Sequence, residues 1–569
     1  MKARQYLYFV FSVILLSHIQ VAAFEAQFAT EYLVDFSIQQ NGETQVNQQI
    51  NITNLKDDVI ATSYSFTIKY FEIFDVSAQA NGNKATPKVE TSGNETTIVV
   101  NIDDYVIGKG RQNKIELTYK TLDIATKVGE VWNINIPKTQ LNNDTSSYNV
   151  TLEVKESLGP KIFISPVPDT EKSSDGNHVF NFTKESLRNT GISASFGSYQ
   201  VLNFKLKYQI SNPNYFYANY EVALPPDIKM LQQVKYSTIT PSPNSIKLDE
   251  DGNAIATFRL KPKQKLQIEL NGAARLTGRQ INPAFGGKFE SLPNTLIEKY
   301  TKAQKYWESD SKEIKAISNK IIDTNLNVSQ NAQKAYDYVT ETLSYNFDAL
   351  KENFIEREGA VAAANNKKPF TCMEFTDLFV ALARSMGIPA REINGYAINS
   401  GETTKPVSIQ LKNGDLLHSW AEYYDPFYGW VQVDPTWGNT SGIDYFTKLD
   451  TNHLAFVVKG IDSEYPYPAG SYRFSDEGKL VEVDYALQGS QTPFDTSLEF
   501  KKSLSLNLIK IINGNQKYEV ENSGETFVYD IDKTGLNLAP KQKATIWINN
   551  TVKGVSYKDY EDKESFWPL

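Results

Sequence analysis

Cysteine is almost absent: Cys372 is the only one in 569 residues. A single thiol excludes an internal disulfide, so stability must rest on core packing. It also lies far from the N-terminus, which leaves no cysteine for a lipoprotein anchor. Histidine is nearly as scarce, with four residues in all. Close ligand pairs such as C-x-x-C or H-E-x-x-H are missing, as are a P-loop, a dinucleotide fingerprint and an EF-hand loop, so no cofactor and no metal are expected. Cys372, Glu374, His418 and Asp434 can be written down as a zinc set, but they lack that close pairing. Acidic and basic runs are absent. A net charge of −9 with 22% charged residues favours solubility and argues against nucleic acid as a partner. There is no fixed-period repeat and no low-complexity tract. Past the first twenty residues, no stretch is long and apolar enough to cross a bilayer.

What is present begins with "MKARQYLYFVFSVILLSHIQVAAFEAQF". Lys2 and Arg4, an apolar run from Tyr6 to Ile19, and the small residues before Phe24 have the three-part form of a secretory signal, with cleavage expected after Ala23. The protein is therefore expected to be secreted or held at the cell surface; the alternative is anchoring by an uncleaved N-terminal segment. At this length three or four domains are expected. After the signal at 1–23, residues 24–200 carry short β-branched and aromatic runs such as "TTIVVNI" and "YNVTLEV", which read as an antiparallel β-sandwich. Residues 201–285 read as a second β domain, with a hairpin signal at Asp251-Gly252-Asn253. Residues 286–464 form a mixed domain, and 465–569 a C-terminal β domain with runs "SLSLNLIKII", "TFVYDI" and "ATIWI".

The mixed domain is where chemistry is expected. In "SQNAQKAYDYVTETLSY", Ala332, Ala335, Tyr336, Val339 and Leu343 share one helical face. From Cys372 onward, Phe375, Leu378, Phe379, Leu382 and Met386 repeat at helical spacing until Gly387 and Pro389 stop the helix. Cys372 thus falls in the first turn, with Thr371 as N-cap. Free amides and the macrodipole at such a terminus favour a thiolate, though most lone cysteines are simply packed in a core.

A nucleophilic thiol also needs a base and an orienting group. Once His18 leaves with the signal, His178, His418 and His453 remain. His453, in "TNHLAFVVKG", reads as structural. His418 lies in "LHSWAEYY", joined by Asp425-Pro426-Phe427-Tyr428-Gly429 to "WVQVD". If that hairpin folds about Phe427, His418 and Asp434 are opposite or one diagonal apart, within cross-strand reach. Asp434 can then fix the tautomer of His418 and stabilise its imidazolium.

The stretches "CMEFTDLFVALARSMGIPAREINGY", "HSWAEYYD" and "GWVQVDPTWG" resemble the three motifs of the transglutaminase-like superfamily, in its order Cys, His, Asp, over roughly residues 330 to 460. The resemblance implies an α+β chain: a papain-like core, with a cysteine-bearing helix on an antiparallel sheet, flanked by β-sandwich domains. It implies Cys372 as nucleophile, His418 as general base and acid, and Asp434 as orienting carboxylate. Trp420, Trp430 and Trp437 are implied as aromatic walls. The Cys372 backbone N–H is expected in the oxyanion hole, with Tyr345 and Asn346 as candidates for the second donor. Members commonly carry glycine two residues before the cysteine, where this chain has Phe370; glycine there permits positive φ. A calcium requirement is not indicated. The implied activity is thiol-dependent acyl transfer on peptide or protein amides, ending in hydrolysis or cross-linking. The alternative is a weakly active or inactive surface-binding scaffold. The β domains are candidate contact surfaces for cell-surface or carbohydrate partners.

Overall fold

The computed structural model describes residues 26–568 except 70, 94, 140, 189, 349–355, 366–367, 399–414, 442, 475–478, 487–493, 495, 504–513, 550 and 561. The signal-like segment and the run "SLSLNLIKII" (503–512), apart from Ser503, lie outside the described residues.

The N-terminal β structure follows from alternation. In Thr44–Asn54 every second side chain is buried, which commits one face of the strand to a core. This strand sits inside an eight-stranded sheet, next to Phe28–Ile38 on one side and Gln112–Thr121 on the other. A three-stranded and a four-stranded sheet complete the layer, and Val46, Ile50, Ile98, Ile115, Ile134, Leu152 and Phe196 fill the space between them. One pairing departs from the antiparallel expectation: Phe28–Ile38 runs parallel to Thr145–Lys155. Those strands are separated by more than a hundred residues, so a parallel crossover costs no tight turn.

Around residues 200–276, Gln200–Ser211 pairs along its full length with Lys265–Leu276. The turn at Asp251-Gly252-Asn253 closes a hairpin with Leu248 opposite Ala254. The Asp249 carboxylate accepts from the backbone N–H groups of Asp251 and Asn253, and Gly252 takes φ +94°. The core of this unit is not drawn from one contiguous stretch. Val481–Tyr485 adds to the edge of Gln200–Ser211, and Tyr396, Leu454, Phe456, Phe527 and Ala539 pack into the same cluster.

The mixed region holds α1 (Lys312–Ile321), α2 (Val328–Thr342), α3 (Cys372–Ser385), β1 (Ala390–Ile398), β2 (Asp415–Asp425), β3 (Gly429–Val433), α4 (Pro435–Ser441) and β4 (His453–Lys459). The strands form an antiparallel sheet in the order β3-β2-β1-β4. The expected face of α2 is buried, and α3 packs between it and the sheet in one core with Tyr423 and Val433. Every residue of α3 from Glu374 to Arg384 is buried, so this helix is enclosed all round rather than half-solvated. Its charged residues are accordingly paired. Asp377 accepts from Arg357 and from Trp307 Nε1 at 3.0 Å, and Arg384 donates to the carbonyls of Ala390 and Gly460. Beyond residue 498, two small sheets pack around Val520, Val528, Ile531, Leu538 and Ile548.

Candidate active site

Cys372 is the first residue of α3 and is partly exposed. As an N1 residue its backbone N–H has no acceptor within the helix. The helix start is fixed by Glu374, a buried carboxylate that accepts from the Thr371 N–H at 3.1 Å and hydroxyl at 2.7 Å. Phe370 bridges to Tyr345: its N–H donates to Ser344 and its carbonyl accepts from Asn346. It is buried and is not among the described residues with positive φ. The backbone therefore does not use the freedom that glycine would supply at this position.

The hairpin places the other two groups. Pairs Ala421–Val433 and Asp425–Gly429 centre the turn on Phe427, so Asp434 falls one diagonal from His418. His418 Nε2 lies 2.8 Å from Asp434 Oδ2; Cys372 is close enough to the same imidazole to add to its proton affinity, and with Nε2 taken by Asp434 the nitrogen left for sulfur is Nδ1. Both residues are buried. Burial pushes the His418 imidazolium toward deprotonation, but the Asp434 carboxylate outweighs this and raises its pKa to about 9. Burial likewise works against the Asp434 anion, and the two imidazoles beside it hold it well below the usual carboxylate range.

Asp434 serves two purposes, because it also precedes a helix that has Pro435 at its first position. Its Oδ1 accepts from the Trp437 N–H at 2.9 Å, capping α4, while Oδ2 faces the imidazoles. Two glycines permit the close packing. A Cβ on Gly395 would stand 2.1 Å from the Leu454 carbonyl and 2.6 Å from the Trp420 ring, and one on Gly438 would stand 1.9 Å from the Tyr336 hydroxyl.

Two of the three tryptophans wall the histidine. Trp420 stacks on His418 with ring centroids 5.9 Å apart, and Trp437 lies 5.7 Å away. Trp430 does not: it pairs with Tyr424, six residues along β2 from His418, or about 20 Å at strand rise. There it packs on Tyr300 and under Arg391, 3.8 Å from the guanidinium carbon. Of the oxyanion candidates, Asn346 has its backbone N–H committed to Phe370 at 2.7 Å. Tyr345 borders the thiol. Burial, with Cys372 and Asp434 adding to it, raises its phenol well above the ordinary value, so it remains an O–H donor.

The sequence reading missed His453. Read from sequence as structural, it is buried with Nε2 at 3.1 Å from Asp434 Oδ2 and Nδ1 at 2.8 Å from Asp450 Oδ1. The available signal was its position: a scarce titratable residue heading the apolar run "LAFVV" is expected to be buried, as it is in β4, and to need polar partners. His418, Asp434 and His453 offer ligand atoms within 4.8 Å of one another. Their mutual hydrogen bonds already satisfy these atoms. Of the zinc set written from sequence, Cys372 and Glu374 are not in this cluster, and Glu374 caps α3 instead.

The region that holds these residues is similar to known proteins. Residues 315–435 match the transglutaminase-like superfamily. Over 239 residues the chain is 26% identical to the uncharacterised Bacillus subtilis protein YebA, covering 39% of this chain and 30% of YebA. Over 66 residues it is 35% identical to a protein-glutamine gamma-glutamyltransferase of Pseudomonas aeruginosa, covering 12% of this chain and 10% of that one. The chain thus spans less than a third of either relative. A solved structure of a candidate cysteine protease from Cytophaga hutchinsonii aligns at 14% identity with TM-score 0.32, covering 50% of this chain and 98% of that one. This chain carries a transglutaminase-like domain within an α+β architecture flanked by β-rich units.

Proposed function

We propose that this chain is an exported thiol-dependent acyl-transfer enzyme acting on amide bonds of peptides or proteins, with Cys372, His418 and Asp434 as its catalytic triad. The observation that carries the reading is the Cys372–His418–Asp434 line at the N-terminus of α3, inside the family-matched segment.

In the first half-reaction the thiol proton already resides on His418 Nδ1, and the Cys372 thiolate bonds to the amide carbon. The Cys372 backbone N–H is directed at the developing oxyanion, and the Tyr345 hydroxyl is a candidate second donor. The carbon–nitrogen bond then breaks, His418 returns the proton to the departing nitrogen, and a thioester on Cys372 remains. Asp434 holds the imidazole ring and balances its charge throughout. Water resolving the thioester yields hydrolysis; a primary amine yields a new amide. Hydrolysis is the favoured outcome, and the name of the Pseudomonas relative is the support for the amine branch.

The test is incubation with glutamine-containing peptides, with and without a fluorescent primary amine. Hydrolysed product, or amine incorporated into peptide, is expected, and Cys372→Ala abolishes both. Absence of both products, with Cys372 no more reactive than an ordinary thiol, would favour a binding scaffold. Export is proposed from residues 1–23. Among the described residues no helix is long and apolar enough to cross a membrane. N-terminal sequencing of exported protein should begin at Phe24; a start at Met1 would point to an uncleaved anchor.

A further inference from the structure

We propose that His453 is a positioning residue: bridging Asp450 and Asp434, it fixes the Asp434 carboxylate on His418 and extends the triad by two further groups. This rests on the acyl-transfer reading for its catalytic meaning, but the geometry stands independently.

Each ring nitrogen of His453 faces a carboxylate oxygen, at 2.8 Å and 3.1 Å. A neutral imidazole has one N–H and one lone pair. In that state one of the two contacts would set a lone pair against a carboxylate, in a site with almost no water. Both contacts are hydrogen bonds only when both nitrogens carry protons. The far carboxylate is itself anchored. Asp450 Oδ2 accepts from the Tyr445 hydroxyl at 2.9 Å, and Oδ1 from the Asn452 N–H at 2.9 Å. His453 belongs to the edge strand β4, where it pairs with Ala397, so its ring is held by the sheet that carries His418.

The titratable groups facing His453 are Asp434 at the head of α4, Asp450 after Lys448–Leu449, His418 on β2 at 5.8 Å between centroids, and Tyr445 at 5.9 Å. The Trp420 and Trp437 rings close the remaining sides at 5.2 and 4.6 Å. Burial works against the cation, while Asp450 and Asp434 outweigh it and raise its pKa to about 9. The result is a buried line of alternating sign, Asp450, His453, Asp434 and His418, that leads to the partly exposed Cys372. Without His453, Asp434 would have one fewer donor and would face the Asp450 carboxylate with no cation between them. An orienting group free to turn away from His418 orients poorly.

Two measurements test this on the full chain. In protein labelled selectively with 15N-histidine, with signals assigned by single substitutions at His178 and His418, the His453 ring should show two N–H protons at pH 8. A single-tautomer neutral ring would overturn the proposal. Second, alkylation of Cys372 by iodoacetamide is followed from pH 5.5 to 9 in wild type, His453→Gln and Asp450→Asn, with near-UV circular dichroism confirming the fold. Either variant should slow labelling at pH 6 on the order of tenfold, the worth of one pH unit on the imidazole that faces the thiol, and should steepen the pH profile. If wild type is activated and both folded variants superimpose on it, His453 is merely packed and the proposal falls, while the acyl-transfer reading survives. If wild type itself labels like an unfolded chain, the acyl-transfer reading falls and the histidine spectra still decide the bridge.

Discussion

Replacing Asp434 by asparagine keeps the shape of the side chain and removes its charge, so the loss can be worked from the geometry. The carboxylate accepts from His418 at 2.8 Å, His453 at 3.1 Å and the Trp437 N–H at 2.9 Å. The amide oxygen can keep the helix cap, but it cannot balance two imidazolium cations. Raising one buried imidazole from 6.5 to about 9 corresponds to roughly 3 kcal/mol, at about 1.4 kcal/mol per pH unit. The two histidines do not contribute independently, because both lean on the same oxygen. The sign follows from linkage: a raised histidine contributes stability that is complete below its unfolded value near 6.5 and is lost as pH rises through about 9. Asp434→Asn should therefore lower unfolding free energy by about 3 kcal/mol at pH 6, and the difference should shrink steadily toward pH 9.5. Urea denaturation of both proteins at half-unit pH intervals measures this. A difference that stays constant between pH 6 and 9.5 would refute the ion-paired account of the site.

Further outcomes follow from the same contacts. Gly395→Ala places a methyl 2.1 Å from the Leu454 carbonyl and should destabilise the fold by about 1–3 kcal/mol, read as a lowered urea midpoint. Asp377→Ala removes one of the two carboxylates on Arg357, which keeps Glu392 at 2.8 Å, and strands the Trp307 indole N–H in the core; it should cost about 1–3 kcal/mol, and no loss of stability would contradict the burial of that pair. Trp430→Phe should leave the rate of Cys372 alkylation unchanged, since the ring packs on Arg391 and Tyr300. Trp420→Phe removes the indole N–H bond to Gln432 at 3.0 Å and reshapes the stack on His418, so it should alter that rate.

Local pattern carried much of this into the sequence. The 3.6-residue period named the buried face of α2, and the stop at Gly387 and Pro389 marked the end of α3. The five-residue turn fixed the register that sets Asp434 one diagonal from His418, because a hairpin's pairing follows from its centre. What stayed hidden depends on contacts distant in sequence. Nothing local ties β4 to β1, so the approach of His453 to Asp434 left no spacing signature. Motif position grouped Trp430 with the other tryptophans, but strand rise carries it to the far end of the hairpin. The burial of α3 on every side from Glu374 to Arg384 was equally out of view, since the partners of Asp377 and Arg384, namely Arg357, Trp307 and the Gly460 carbonyl, come from other segments.

The central claim is that His418 activates the Cys372 thiol, and the chain's lack of any other cysteine makes it directly measurable by intact mass. Native protein, urea-unfolded protein and native His418→Ala are each exposed to iodoacetamide at pH 6, and the rate of single-adduct formation is followed. Native wild type should label at least tenfold faster than the unfolded chain, and His418→Ala should lose that advantage. Native labelling no faster than unfolded at pH 6, with Cys372 shown accessible by full labelling of the same native protein at pH 9, would contradict the account.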